Sequence, residues 1–277
     1  MEPQEYRRHF ELEDNHWWFR ARRGLALRIL AKYRIGRPPR RLLDAGCGTG
    51  ANLLALADPD FSGKSFGPPF SEGRKRGELS PFAGEGKPAN FAFGCDLSED
   101  ALRFCRRRGI LNLARADVVK LPYKEGSFDL ATLFDVLYHK AIRSDLAVLE
   151  EVRRVLRPGG LCLITDSALP ILHSPHDAAF GARERYTKKG LGTRVKKAGL
   201  EILKITYFYM IPFPVVFLIR KGQGLQRRAW ADPQSDLSPV PELLNAALTK
   251  IMGWEAALAV RLNLPVGSSV VCLARKN

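Results

Sequence analysis

Residues 44–50 read Asp44-Ala45-Gly46-Cys47-Gly48-Thr49-Gly50. An apolar run at 41–45 (RLLDA) leads into them, and a helical stretch at about 50–57 leads out. The pattern is strand, glycine turn, helix. Glycines let the main chain turn sharply and let a ligand come close to it. The helix N-terminus beyond offers free N–H groups and positive potential. Two kinds of ligand suit such a turn. A dinucleotide would place its pyrophosphate there, and Gly46-x-Gly48-x-x-Ala51 satisfies the dinucleotide fingerprint in its Ala form. A nucleoside carrying an amino acid would place its carboxylate end there. The glycines alone do not choose.

Outward from the turn, strand and helix alternate. Strands are predicted at 41–45, 91–95, 111–115, 128–134 and 160–165, and helices at about 50–57, 98–108 and 143–156. This alternation predicts a parallel sheet covered by helices on both faces. Residues 200–209 and 268–275 read as two further strands, with a helical and irregular stretch between them. Residues 1–40 read as a helical N-terminal cap, followed by the main domain at 41–277, with a helical insertion at 210–264. The 58–90 segment holds six Gly and five Pro and no periodic apolar face. It is expected to be a flexible surface insert. Its GRKRG patch at 73–77 suits either solvent or an anionic partner.

Three carboxylates, each after a successive strand, bear on the choice of ligand. Asp44 stands two residues before the first glycine. There it would repel a pyrophosphate but can bind an ammonium. Asp96 ends the second strand, where it can accept from both hydroxyls of a ribose, a need shared by both ligand types. Asp117 follows the third strand. It can accept from an adenine amino group while the backbone N–H of Val118 serves a ring nitrogen. Asp96 and Asp117 would equally serve as helix caps.

At these residues the chain resembles the class I S-adenosylmethionine (SAM)-dependent methyltransferases of the type 11/12-like kind. DAGCGTG (44–50), GCDLS (94–98) and ARADVVKLPYKEGSFDLATLFDVLYH (114–139) match that family's first four motifs. EEVRRVLRPGGLCLIT (150–165) resembles its helix, Pro-Gly-Gly turn and fifth strand. The resemblance implies an α/β fold, three-layered and Rossmann-like, whose seven-stranded, mostly parallel sheet has an antiparallel last strand. It implies SAM as cofactor, held by Asp44, Gly46, Cys47, Gly48, Gly50, Asp96, Leu97, Asp117, Val118 and Asp135, with methyl transfer as the activity. Outside the motifs the chain is similar to a bacterial subgroup. The matching pieces are a His-Trp-Trp-Phe segment (His16 to Phe19) followed by Arg22-Arg23, then Ser174-Pro175-His176-Asp177 with Arg185-Tyr186, and a closing Pro265, Gly267 and Ser269.

Several residues carry two readings. Asp135, at the end of the fourth strand, fits either a ligand contact or a cap. Tyr138 and His139 follow it, and His139 suits a proton acceptor or the surface. His176 is a second candidate base, with Asp177, Arg185 and Tyr186 as candidate acceptor contacts. Trp17 and Trp18 fit either a lid over an acceptor or the packing of a helix. Tyr207 to Ile219 is the longest apolar stretch. It reads as core first, then as an acceptor wall or a membrane-facing patch.

Composition narrows the partners. The net charge of +15 suits a polyanion, whether nucleic acid or an anionic membrane, or a basic solvated surface, since the charge is spread out. The five cysteines are scattered with no CxxC pair, which argues against a disulfide framework or a zinc site and fits a reducing cytosol. No metal is expected. The charged N-terminus reads against a signal peptide. The acceptor is expected to be a small molecule or one linked to lipid or glycan, with RNA as the alternative enzyme reading and a non-catalytic SAM-binding protein as another. A nicotinamide-dependent reductase is opposed by Asp44 and by the lack of a Tyr-x-x-x-Lys pair at Tyr186.

Overall fold

The computed structural model describes residues 3–33, 41–57, 91–173, 177, 181–225 and 238–277. The 58–90 insert with its basic patch, the end of the N-terminal cap at 34–40, His176 and the 226–237 part of the helical insertion lie outside the described residues.

Apolar runs with few polar breaks make the central strands, because a parallel strand is covered on both faces. β1 (Leu42–Ala45) is buried along its whole length, and β4 (Phe128–Phe134) along all but Asp129. β2 (Ala92–Asp96) and β3 (Leu113–Arg115) pair parallel on one side of β1, and β4 followed by β5 (Leu156–Ser167) on the other. β6 (Leu200–Phe208) and β7 (Ser269–Lys276) complete a seven-stranded sheet in the order β3-β2-β1-β4-β5-β7-β6. β7 is antiparallel to both of its neighbours. The wide sequence gap between the last two strands is thus bridged by direct pairing.

Among the described residues the α-helices are α1 (Pro3–Leu12), α2 (Trp17–Lys32), α3 (Ala51–Ala57), α4 (Glu99–Arg107), α5 (Asp145–Val155), α6 (Lys188–Lys197), α7 (Phe213–Leu225) and α8 (Glu242–Arg261). They cover both faces of the sheet. α2 lies between α3 and α8, and α5 packs on α6. Ser98, Ser144 and Thr187 begin α4, α5 and α6. Each side chain accepts from the backbone N–H three residues on, which satisfies one of the unpaired donors of a helix start.

The boundaries differ most from the expected ones at two places. β3 covers 113–115 rather than 111–115, since only those three residues pair with Gly94 to Asp96. β5 begins at Leu156, which pairs with Phe128 before the register shifts. The Pro158-Gly159-Gly160 run makes that irregularity. A Cβ at Gly160 would lie 2.8 Å from the Arg157 carbonyl oxygen, so the chain can fold back on itself only with glycine there.

The strand order reverses between β1 and β4. In open α/β sheets, that reversal opens a crevice at the carboxyl ends of the strands. The glycine turn after β1 lies at that point.

Candidate functional site

The turn has the backbone geometry that its glycines permit. Gly46, Gly48 and Gly50 all have positive φ, at 79°, 53° and 89°. The Gly46 and Cys47 N–H groups both donate to the Cys95 carbonyl, tying the turn to the end of β2. The Gly48 N–H donates to the Asp96 carboxylate at 2.9 Å, and the Ser98 N–H donates to its other oxygen at 2.9 Å. Asp96 is therefore held in place by two main-chain donors, each oxygen keeping a further lone pair.

Asp44 is fully buried. One carboxylate oxygen accepts from the Thr132 hydroxyl at 2.7 Å. The other, Oδ2, has no hydrogen-bond partner. Burial pushes the Asp44 carboxyl up to about 7, opposed by the Thr132 hydrogen bond and by the Arg22 guanidinium. A buried acceptor without a donor is costly, and a ligand ammonium is the kind of group that would complete it.

Arg22 was not among the sequence candidates for this site. It projects from α2, is buried, and pairs with Asp135. Its Nε has no partner. An unsatisfied donor and an unsatisfied acceptor therefore lie at one site, and their charges interact. An α-amino acid, with its carboxylate and its ammonium, carries the matching pair.

Glu13 and Asp14, between α1 and α2, form a second buried cluster. Arg108, just beyond α4, donates to both Asp14 oxygens at 3.0 Å, to Glu13 at 2.8 Å and to the Thr49 carbonyl at 2.9 Å. The Thr49 hydroxyl bonds the same Glu13 carboxylate. The N-terminal cap is thereby fastened to the glycine turn. Burial pushes the Glu13 carboxyl up, opposed by Arg108. Charged residues near the N-terminus give no sign in the sequence of where their partners lie.

Outside glycine, positive φ occurs among the described residues at Asp135, Leu169 and Tyr209. These follow the ends of β4, β5 and β6, on one edge of the sheet, because β6 runs in the same direction as β5. Each such residue costs about 1–3 kcal/mol, and such strain gathers at ligand sites.

The other expected residues fall as follows. Leu97 is 58% exposed beside Asp96. Asp117 is exposed and accepts from the Val119 N–H, a local turn bond. Val118 has its side chain in the core, so only its main chain is available to a ligand. Cys47 likewise turns its thiol inward, 3.8 Å from that of Cys105, and can offer a ligand only its backbone. The backbone N–H of Tyr138 donates to the buried carboxylate of Asp166. His139 is half-buried, and its Nδ1 accepts from the Ala141 N–H. Burial, first of all, holds its pKa down. Trp18 stacks on Tyr209 at 3.8 Å between ring centres, Trp17 meets Trp18 edge-on, and the Trp17 N–H donates to Asn245 of α8.

Three candidate acceptor contacts have other occupations. Tyr186 is fully buried, and its hydroxyl bonds the Leu137 carbonyl and Asp145. Asp177 and Arg185 form a buried ion pair at 2.6 Å, and Arg185 also bonds the Ala168 carbonyl. All three brace the loops after β4 and β5, because their polar atoms are satisfied inside the protein. Among the described residues, no group of His, Cys, Asp and Glu is arranged to hold a metal.

Residues 77–164 match the family model described as methyltransferase domain. That stretch begins inside the insert and so leaves out the glycine turn. Among relatives, the chain is 39% identical over 79 residues to a tRNA (carboxymethyluridine(34)-5-O)-methyltransferase of Arabidopsis thaliana, covering 28% of this chain and 19% of that protein. It is 34% identical over 131 residues to the fatty-acid O-methyltransferase of Mycolicibacterium smegmatis, covering 46% and 37%. The chain thus matches well under half the length of these relatives. Among solved structures, a SAM-dependent methyltransferase of Thermotoga maritima superposes with a TM-score of 0.52 at 16% identity, covering 94% of this chain and 93% of that one. In fold, glycine turn and family match the chain resembles the class I SAM-dependent methyltransferases. The seven-stranded sheet with its reversed β7 is the Rossmann-like architecture of that class.

Proposed function

We propose that this protein transfers a methyl group from SAM to a small apolar acceptor, of the lipid or lipid-linked kind. The carrying observation is the unpartnered Oδ2 of Asp44, buried at the glycine turn and sharing its site with the unpartnered Nε of Arg22. Asp44 would take the ammonium of the methionine part, and Arg22 its carboxylate. Asp96 would accept from the ribose hydroxyls, which requires only the lone pairs left over from Gly48 and Ser98. Asp117 and the backbone of Val118 would serve the adenine edge. SAM, when bound, supplies an electrophilic methyl group whose bond to sulfur breaks as the acceptor's lone pair forms the new one.

The chain's own task is to align the acceptor, keep water away and take up any proton that the acceptor loses. Tyr138 and His139 sit on the loop after β4, at the ligand edge. His139 is kept neutral by burial, the state in which a base works. Trp17, Trp18 and Tyr209 form an aromatic wall from the N-terminal cap to the end of β6. That wall, and the relative acting on fatty acids over the longer match, support an apolar acceptor. RNA is the second reading, supported by the charge of +15 and by the shorter match to the tRNA enzyme.

Calorimetric titration with SAM tests the donor half. Binding by the wild type that Asp96→Ala and Arg22→Met weaken is expected, and no binding at millimolar SAM would overturn the reading. Methyl-labelled SAM with a cell extract tests the acceptor half. Label is expected in the lipid or small-molecule fraction, and label in RNA would install the second reading.

A further inference from the structure

α8 is long and apolar enough by composition to cross a membrane, yet only 28% of its most apolar window is buried. A helix that is apolar all round belongs in a core or against lipid. One face of α8 is in the core: Met252, Gly253, Ala256 and Ala259 are buried, on a helix that packs along α2. The opposite face is open. Leu243 is 88% exposed, Trp254 74% exposed, and Leu258 is exposed beyond them. The three lie at 243, 254 and 258, a helical spacing that lines up one stripe. Lys250 and Arg261 are exposed on the same stripe.

α7 carries a second exposed apolar face. Val215, Leu218 and Ile219 are exposed, with Leu218 at 68%. α7 contains no acidic residue, and Lys221 is exposed on it. The lead-in to α7 meets α8 at Glu255. Its buried carboxylate accepts from the Met210 and Ile211 N–H groups at 2.8 Å, fixing the lead-in to α7 against the middle of α8, next to Trp254. α7 begins on the strand-end edge where the candidate site lies.

We infer that the outer faces of α7 and α8 form a docking surface for an anionic phospholipid bilayer, with α8 lying in the plane of the interface. Its hydrogen bonds oppose a crossing. Asn245 receives the Trp17 N–H, Glu255 holds the start of α7, and Lys32 donates to the Val260 carbonyl, so one side of α8 stays fastened to the protein along its length. A bilayer surface offers apolar depth for the leucines, an interfacial zone suited to Trp254, and negative charge for Lys221, Lys250 and Arg261. A second copy of the chain across a two-fold axis would set one cationic face against another. The molecule's net charge of +15 favours approach to an anionic surface at long range. The surface would admit a lipid acceptor from the membrane side, but its existence does not depend on the acceptor.

The test is co-sedimentation of the full chain with phosphatidylcholine vesicles, with and without phosphatidylglycerol. We expect binding to the anionic vesicles that weakens with salt. Leu218→Glu and the pair Trp254→Glu/Leu258→Glu should each lower the partition coefficient by about tenfold or more, with SAM affinity unchanged. Lys250→Glu/Arg261→Glu should abolish the preference for phosphatidylglycerol. Trp254→Phe keeps the surface apolar, so it should still bind while losing most of the tryptophan quenching by brominated lipid. Absence of binding to anionic vesicles would overturn the inference. So would wild-type partitioning by the Glu variants, or a solution dimer that Trp254→Glu dissociates.

Discussion

Asp44 shows how one residue links burial to ligand choice. Burial holds its carboxyl neutral up to about pH 7, whereas an ammonium ligand needs it ionised. SAM affinity should therefore fall as the pH drops below 7, by up to about tenfold per unit. Calorimetry between pH 5.5 and 8 checks this, and Asp44→Asn should bind weakly with no such dependence. Gly46 acts through space rather than charge. It sits at φ 79°, and an added Cβ would lie 2.5 Å from a Val136 methyl carbon. Gly46→Ala should lower the melting temperature and weaken SAM binding together, because one backbone distortion moves both the core contact and the turn. Gly46 and Asp44 were both legible in the sequence, since the turn needs its glycine and the carboxylate stands at a fixed offset from it. Arg22 was not legible as their neighbour, since 113 positions separate it from Asp135.

Among the elements, the N-terminal cap is joined to the Rossmann-like sheet by charge as well as by packing. Arg108 touches Glu13, Asp14 and Thr49 at once, and both of those carboxylates are buried. Arg108→Met would leave two buried acids without the cation that bonds their carboxylates. It should destabilise the protein by about 3–5 kcal/mol, read by urea unfolding. The same variant should weaken SAM binding, since the Thr49 carbonyl in the glycine turn loses its Arg108 donor. Strand and helix positions were legible because period and capping are local: Ser98, Ser144 and Thr187 each satisfy a donor three residues away. The β5 start at Leu156 was not legible. It depends on pairing with Phe128 across the sheet, and the glycine run that permits the bulge reads as a simple turn.

For the whole molecule, buried acids set a pH dependence. Burial raises both Asp44 and Asp166 to about 7. The folded state then holds protons that the unfolded chain releases above about pH 4. Their contribution to stability is complete below that pH and is lost as the pH rises through 7. Melting temperatures of the ligand-free protein should carry this decline, and Asp166→Asn should flatten part of it. By itself the sequence determined the class of fold, the strand–glycine turn–helix unit and the acids at successive strand ends. Each of these follows from backbone preference and short spacing, which neighbouring residues fix. Only the tertiary structure decided which charges meet and which apolar surface stays open. It set Arg22 beside Asp44 and Asp135, and Glu13 beside Thr49 and Arg108. It divided the apolar run from Tyr207 to Ile219 into a buried strand end and an exposed helix face. An apolar run reads alike in core and at surface, and a buried charge finds its partner only when distant segments pack together.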